Sequence, residues 1–171
     1  MIVFAKPDAI SMIGGGLLAF LGEFLRYWGV AYAGSLTRVT GNVGAPEVIV
    51  AGPFAYVRNP LYLGNIFLYL GIGIMSNALV PWLLLAAGIY FFFQYYEIVI
   101  LEEEFLRKSF GVAYEDFANS VPRFVPRLVP FRVEAQAHQH PDWPGALRSE
   151  KRTLQAFGLV LMILIVLWLA R

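Results

Sequence analysis

Gly52-Pro53-Phe54-Ala55-Tyr56-Val57-Arg58-Asn59-Pro60-Leu61-Tyr62-Leu63-Gly64 is the stretch that divides this chain and sets how it folds. It stands between two apolar blocks, opens on a Gly-Pro turn, and contains in Pro60 a proline placed where a helix can begin. Between those marks lie one fixed cation, Arg58, one side-chain amide, Asn59, and two phenols, Tyr56 and Tyr62. A cation at the mouth of a membrane segment costs free energy without a partner, so Arg58 predicts an anion that meets it.

The flanks have the composition of a membrane protein. Of 171 residues, 58% are hydrophobic and only 15% charged, with 14 Phe and 9 Tyr, a balance too apolar for a soluble domain of this length. Four segments approach the roughly 20 residues that a helix needs to cross a bilayer. They are Ile10 to Tyr32, Leu61 to Ser76, Ala78 to Ile100 and Leu154 to Ala170. The expected fold is therefore all-α, a multi-pass transmembrane helical bundle of about four spans in a single integral membrane domain, residues 1–171. Asn77 and its neighbours alone separate the second segment from the third, which predicts a tight antiparallel hairpin. The second segment is short, and Tyr56 to Pro60 is expected to add depth to it. No small-residue cleavage site follows the first apolar run, so no removable signal peptide is expected. The absence of cysteine excludes disulfides, thiolate metal sites and thiol nucleophiles.

Charge sets the topology. Arg38, Arg58, Arg107, Lys108, Arg123, Arg127, Arg132, Arg148, Lys151 and Arg152 fall in the two long connections, whereas the opposite side has only Lys6 and Arg171. The positive-inside rule then puts both connections in the cytoplasm and both termini outside. A compact chain without targeting extensions points to a prokaryotic cytoplasmic membrane, with the candidate site on its cytoplasmic side.

Within the first segment Glu23 and Arg26 are three residues apart and can pair on one helix face. Gly15, Gly22 and Gly29 recur every seven residues beside them, so this face is expected to point into the bundle. The pair reads either as an ion pair that fixes packing or as a substrate-side group. After the third segment, Leu101 to Ala118 continues as a charged amphipathic helix that Gly111 can bend. Glu103 with Arg107 and Glu104 with Lys108 have the spacing of ordinary solvated pairs. Glu102 lies between Ile98 and Leu106 on an apolar face without a local cation, and it is the expected counterpart of Arg58. Five prolines from Pro122 to Pro144 predict an extended segment over the cytoplasmic face, its first part a headgroup anchor or a lid. His138 and His140, two apart in a proline-flanked loop, read as solvated rather than as metal ligands, and no metal site is expected. No Rossmann fingerprint, phosphate loop or nucleophile elbow occurs, and nothing suggests a nucleic-acid partner.

Arg58-Asn59-Pro60-Leu61-Tyr62-Leu63-Gly64, then a hairpin, Glu102-Glu103-Glu104-Phe105-Leu106, Phe110-Gly111 with Tyr114, and Val121 to Pro126 together carry a resemblance. From Gly52 to Pro126 the chain resembles the C-terminal core of the isoprenylcysteine carboxyl methyltransferase and phospholipid methyltransferase group. Those small integral membrane enzymes use S-adenosyl-L-methionine, and their pattern is Arg-His-Pro-x-Tyr-x-Gly, Glu-Glu-x-x-Leu and Phe-Gly-x-x-Tyr. Asn59 stands where the pattern has histidine; it can donate and accept hydrogen bonds but takes up no proton near neutral pH. The helix 154–170 lies beyond that core.

The resemblance implies a cofactor pocket lined by Tyr56, Arg58, Asn59, Pro60, Tyr62, Gly64, Glu102 and Glu103. Arg58 and Glu102, with Arg26 and Glu23 across the pocket, are the expected catalytic set. A cofactor with a carboxylate, an ammonium, a ribose diol and a sulfonium suits a cation, carboxylates and tyrosine faces. The expected activity is methyl transfer to a lipidic or prenylated small molecule, through a carboxylate or an amine. The alternatives are a membrane reductase of the sterol-reductase type using NADPH, and a non-catalytic membrane binding module.

Overall fold

The computed structural model of the protein describes residues 2–34 and 47–170. Arg38 and Arg171 of the charge count fall outside the described residues. Among the described residues the architecture is helical: α1 (Ala9–Ala33), α2 (Pro60–Ser76), α3 (Trp82–Phe110), α4 (Val112–Ser120) and α5 (Trp143–Leu169), with short 3-10 turns between some of them. Three helices, α1, α3 and α5, are long and apolar enough to cross a membrane, and α2 is a shorter apolar helix.

Each helix starts and stops for a local reason. Asp8 caps α1 by accepting from the Ser11 amide at 2.9 Å while Ser11 Oγ accepts from the Asp8 amide at 3.0 Å. Pro60 opens α2, where a missing amide proton costs nothing. Asn77 ends α2 in the left-handed region. Gly111, at a φ of 54°, separates α3 from α4, so the expected bend is a full break with a new helix beyond it. Asp142 caps α5 by accepting from the Gly145 amide at 2.9 Å.

The centre of the bundle is the crossing of α1 and α2, and it is built from backbone. A Cβ on Gly15 would lie 2.5 Å from the Gly71 carbonyl oxygen, one on Gly22 2.6 Å from that of Gly64, and the reciprocal contacts from Gly64 and Gly71 are equally close. Two glycines seven apart on each helix thus meet in antiparallel register, the close approach that small residues allow in lipid. Val30 and Ala31 of α1 and Ala146 of α5 pack together. The α5 start is tied to the α1 end by the Asp142 amide, which donates to the Ala31 carbonyl at 2.7 Å. The outward faces of α3 and α5 are apolar: Phe92, Phe93, Leu159 and Val166 are all exposed in the isolated chain.

Three expectations need correction. The last helix begins at Trp143, eleven residues before Leu154, so Arg148, Lys151 and Arg152 belong to a helix and not to a loop. Tyr56 to Pro60 adds no depth to α2, because Val57 to Asn59 are non-helical and the helix begins at Pro60. The third segment starts as a helix at Trp82 and not at Ala78, so residues 77–81 form the hairpin turn.

Candidate functional site

A cavity of about 360 Å³ opens between α1, α2, α3 and the connection before α2. The segment after α4 is bound to that connection strand-like. The Arg58 amide donates to the Pro122 carbonyl at 2.9 Å, the Arg127 amide to that of Tyr56 at 3.0 Å, and the Phe131 amide to that of Ala55 at 2.9 Å. Gln139 completes the clamp by accepting from the Val50 and Ala51 amides at 2.9 and 3.0 Å. From Pro122 to Phe131 the proline-rich segment is therefore extended, and its backbone fixes the conformation from which Arg58 projects. Beyond it Glu134–His138 form a 3-10 turn and Pro144 lies in the first turn of α5, which corrects the expectation of an extended segment as far as Pro144.

At the mouth of the cavity Glu103 gathers three guanidiniums. Arg123 donates to both its carboxylate oxygens, from Nε at 2.9 Å and from a terminal nitrogen at 2.8 Å. Arg58 lies 3.0 Å away and the more exposed Arg107 3.6 Å. Glu103 itself is only 2% exposed, and such a carboxylate persists at this depth because it is paired on several sides. Its hydrogen bonds hold the Arg123 guanidinium above its usual range. Burial, and then the Glu103 charge, push the neighbouring Tyr114 phenol up. The Nε of Arg58 is buried and has no hydrogen-bond partner among the described residues.

This corrects the pairing expected from sequence. The counterpart of Arg58 is Glu103, which keeps Arg107 at 3.6 Å but is buried rather than solvated. The buried stripe of α3 is Tyr95, Val99 and Glu103, each four residues from the next. Glu102, one residue on, is turned roughly 100° away and accepts instead from the Tyr62 hydroxyl at 2.7 Å. Tyr62 stacks beside Tyr95, ring centroids 4.9 Å apart.

Deeper in the cavity, Arg26 donates to Glu150 Oε2 at 2.6 Å and to Asn65 Oδ1, with Glu23 Oε2 at 3.6 Å from its Nε. Arg26 and Asn65, with Arg58, Asn59, Pro60, Tyr62, Glu102, Glu103 and Glu150, line the cavity. Glu23, Tyr56 and Gly64 do not. Tyr56 sits against Trp28, ring centroids 6.2 Å apart, on a second hollow. Gly64 is occupied by the helix crossing, and a Cβ there would lie 2.7 Å from Arg26 Cγ. The Asn59 amide donates to the Arg123 carbonyl at 3.3 Å, linking the start of α2 to the proline-rich segment.

Sequence reasoning missed Asn65 and Glu150 as lining residues. Asn65 carried a signal, as the only side-chain amide inside an otherwise apolar helix. Glu150 carried none, since it sits among Arg148, Lys151 and Arg152 and looks solvated. Among the described residues, the carboxylates Glu47, Glu102, Glu103 and Glu150 line the cavity with the guanidiniums Arg26 and Arg58, and Arg107 and Arg123 stand against Glu103 at its mouth. Among the described residues no group of three His, Asp or Glu side chains is arranged to hold a metal ion.

Comparison with known proteins agrees with this architecture. The model of the family described as phospholipid methyltransferase matches residues 10–113. A nickel-cobalt-cadmium resistance protein, NccN, of Alcaligenes xylosoxydans xylosoxydans is 32% identical over 52% of this chain and 40% of its own length. The cobalt-zinc-cadmium resistance protein CzcN of Cupriavidus metallidurans is 32% identical over 52% of this chain and 39% of its own. The protein-S-isoprenylcysteine O-methyltransferase of Schizosaccharomyces pombe is 30% identical over 64% of this chain and 47% of its own. The chain thus aligns with less than half the length of each of these relatives. No solved structure matches it.

Proposed function

Because the chain belongs to the phospholipid methyltransferase family, we propose that it is an integral membrane methyltransferase that takes S-adenosylmethionine into the cavity beneath the proline-rich segment and methylates a lipidic acceptor. The observation that carries this reading is the charge arrangement of the cavity. At its mouth Arg58 is anchored on one side by Glu103 and has a buried Nε without a hydrogen-bond partner among the described residues. A carboxylate is the ligand group that such an edge of a guanidinium fits best. Beside it stand the carboxylates Glu102 and Glu103, which suit the ammonium and ribose diol of this cofactor.

S-adenosylmethionine would supply a methyl group bonded to a positively charged sulfur. The residues do the rest. Arg58 holds the carboxylate, Glu102 or Glu103 takes the ammonium or the ribose diol, and the Tyr62 and Tyr95 rings offer faces for the cation. The backbone of Pro122 to Phe131 holds the connection from which Arg58 projects, and alignment of cofactor and acceptor is a main requirement of a direct displacement. The charge distribution supports a mouth on the cytoplasmic side, which suits a soluble, polar cofactor.

Calorimetric titration of the chain in lipid nanodiscs checks this. It should bind S-adenosylmethionine and show no comparable affinity for NADPH. Arg58→Ala should weaken S-adenosylmethionine by about 30-fold or more, and Arg58→Lys, which keeps the charge but loses the fork, by less. Tight binding of NADPH with none of S-adenosylmethionine would overturn the reading.

A further inference from the structure

The outward faces of two helices carry charges that no described residue neutralises. On α3 the buried stripe is Tyr95, Val99 and Glu103, and Glu97, two residues past Tyr95, is turned about 200° away from it. On α5 Ala146 and Glu150 are buried, so Arg148 and Arg152, two residues to either side of Glu150, are likewise turned about 200° away. All three side chains are exposed, and none makes an ion pair among the described residues. Glu97 is 15 residues beyond Trp82, the start of α3, which puts it about 22 Å into a hydrocarbon layer roughly 30 Å thick. Phe93 and Leu101, one turn to either side on the same face, are 61% and 66% exposed, so apolar surface brackets the carboxylate. A carboxylate turned to lipid is costly and calls for a cation at its own depth.

That cation is on α5. Arg26 donates to Glu150 and to Asn65, and the Tyr95 phenol reaches Asn65, so Tyr95 on α3 and Glu150 on α5 share one level. Helix α3 runs toward the cavity mouth and α5 runs away from it. Glu97 and Arg148 therefore both lie about 3 Å nearer the mouth than that level, and Arg152 about 3 Å deeper, within reach of a long side chain. Within one chain they do not meet, because α3 packs against α2 and α5 mainly against α1.

We propose that the chain self-associates in the membrane by laying the outward face of α3 from one copy against the outward face of α5 from a second, antiparallel, with Glu97 paired to Arg148 and Arg152. Two copies inserted in the same direction present these groups at matching depths automatically. Pairing removes an uncompensated charge from lipid on both sides. The same register sets Tyr90 opposite Gln155 and Ala86 opposite Leu159, so a polar residue of the α5 face meets a phenol and a small residue meets a large one. Helix α5 lies beyond the residues 10–113 that the family model matches, so this contact is not one that the matched core provides. It is independent of what the cavity binds.

Cysteine cross-linking in bacterial membranes tests this, since the chain has no thiol of its own. Two differently tagged full-length copies are co-expressed, one with Ala86→Cys and the other with Leu159→Cys. Disulfide formation under a membrane-permeant copper oxidant is then read on a non-reducing gel. The mixed pair should cross-link, and either variant expressed alone should not. Val166→Cys, about 10 Å off register, should link to Ala86→Cys at least about fivefold less. Adding Glu97→Ala to the Ala86→Cys copy should cut the matched link by about fivefold or more. Arg148→Glu with Arg152→Glu on the Leu159→Cys copy should do the same, and Glu97→Arg on the other copy should then restore the link. No matched link, equal links from the single variants, or a link unchanged by Glu97→Ala overturns the proposal. If a charge variant fails to accumulate, the matched and off-register cysteines in the unaltered charge background still decide.

Discussion

Glu103 is the residue on which the cavity mouth depends, because three arginines from three parts of the chain converge on a single buried carboxylate. These contacts are not equivalent. Arg123 makes two short bonds in a fork, whereas Arg107, half exposed at 3.6 Å, is an ordinary surface partner. Arg123→Ala should therefore cost about 1.5–3 kcal/mol of stability, while Arg107→Ala should cost at most about 1 kcal/mol. Thermal unfolding of the two variants in the same detergent checks the order, and an equal or reversed order would show that the fork is not what holds Glu103. Asn59, the departure from the family pattern, lies in the same assembly through its bond to the Arg123 carbonyl. Its position was legible in the sequence. Its partner was not, because no local pattern relates residue 59 to a carbonyl 64 residues later.

The elements show why some of the fold could be read from sequence and some could not. The seven-residue glycine spacing on α1 pointed to a close helix contact, and the Gly15, Gly22, Gly64 and Gly71 crossing is that contact. Gly14 and Gly16 make the discriminating controls, since a Cβ on either meets nothing within 4 Å. Gly15→Ala or Gly71→Ala should lower stability by about 1–3 kcal/mol through overpacking. Gly14→Ala and Gly16→Ala should be neutral or raise it by up to about 1 kcal/mol, because alanine is the better helix former. Indistinguishable melting behaviour across the four would show that the crossing is loose. The inward face of α3 was misread for a reason particular to membranes. In water an apolar stripe marks the core, so a carboxylate between Ile98 and Leu106 looked buried. In a bilayer the apolar face turns to lipid, and the stripe carrying Tyr95 and Glu103 turns inward. The start of α5 was missed because hydropathy begins counting only where charges end, and its first turns hold Arg148, Glu150, Lys151 and Arg152.

At the scale of the whole molecule, every part of the proposed site lies at one end of the bundle, so its chemistry depends on which side of the membrane that end faces. The helix ends make the question sharp. α1 ends, α2 begins, and α5 begins at the cavity side, while Ile2 to Phe4 and the turn after Ser76 lie together at the other, where the Lys6 amide donates to the Ser76 carbonyl at 2.8 Å. Basic residues concentrate at the cavity end, in Arg107, Lys108, Arg123, Arg127 and Arg132, and the positive-inside rule predicts from this that the end faces the cytoplasm. The sequence lends itself to a direct test, because it contains no cysteine and any introduced thiol is read without background. Leu128 on the proline-rich segment is 97% exposed and Val3 at the opposite end 89%, so neither substitution disturbs packing. In intact bacterial cells a membrane-impermeant maleimide should label Val3→Cys and leave Leu128→Cys unlabelled until the membrane is opened. The opposite pattern would put the cavity mouth outside the cell, away from the cytosolic supply of S-adenosylmethionine, and would remove the cofactor reading together with the topology.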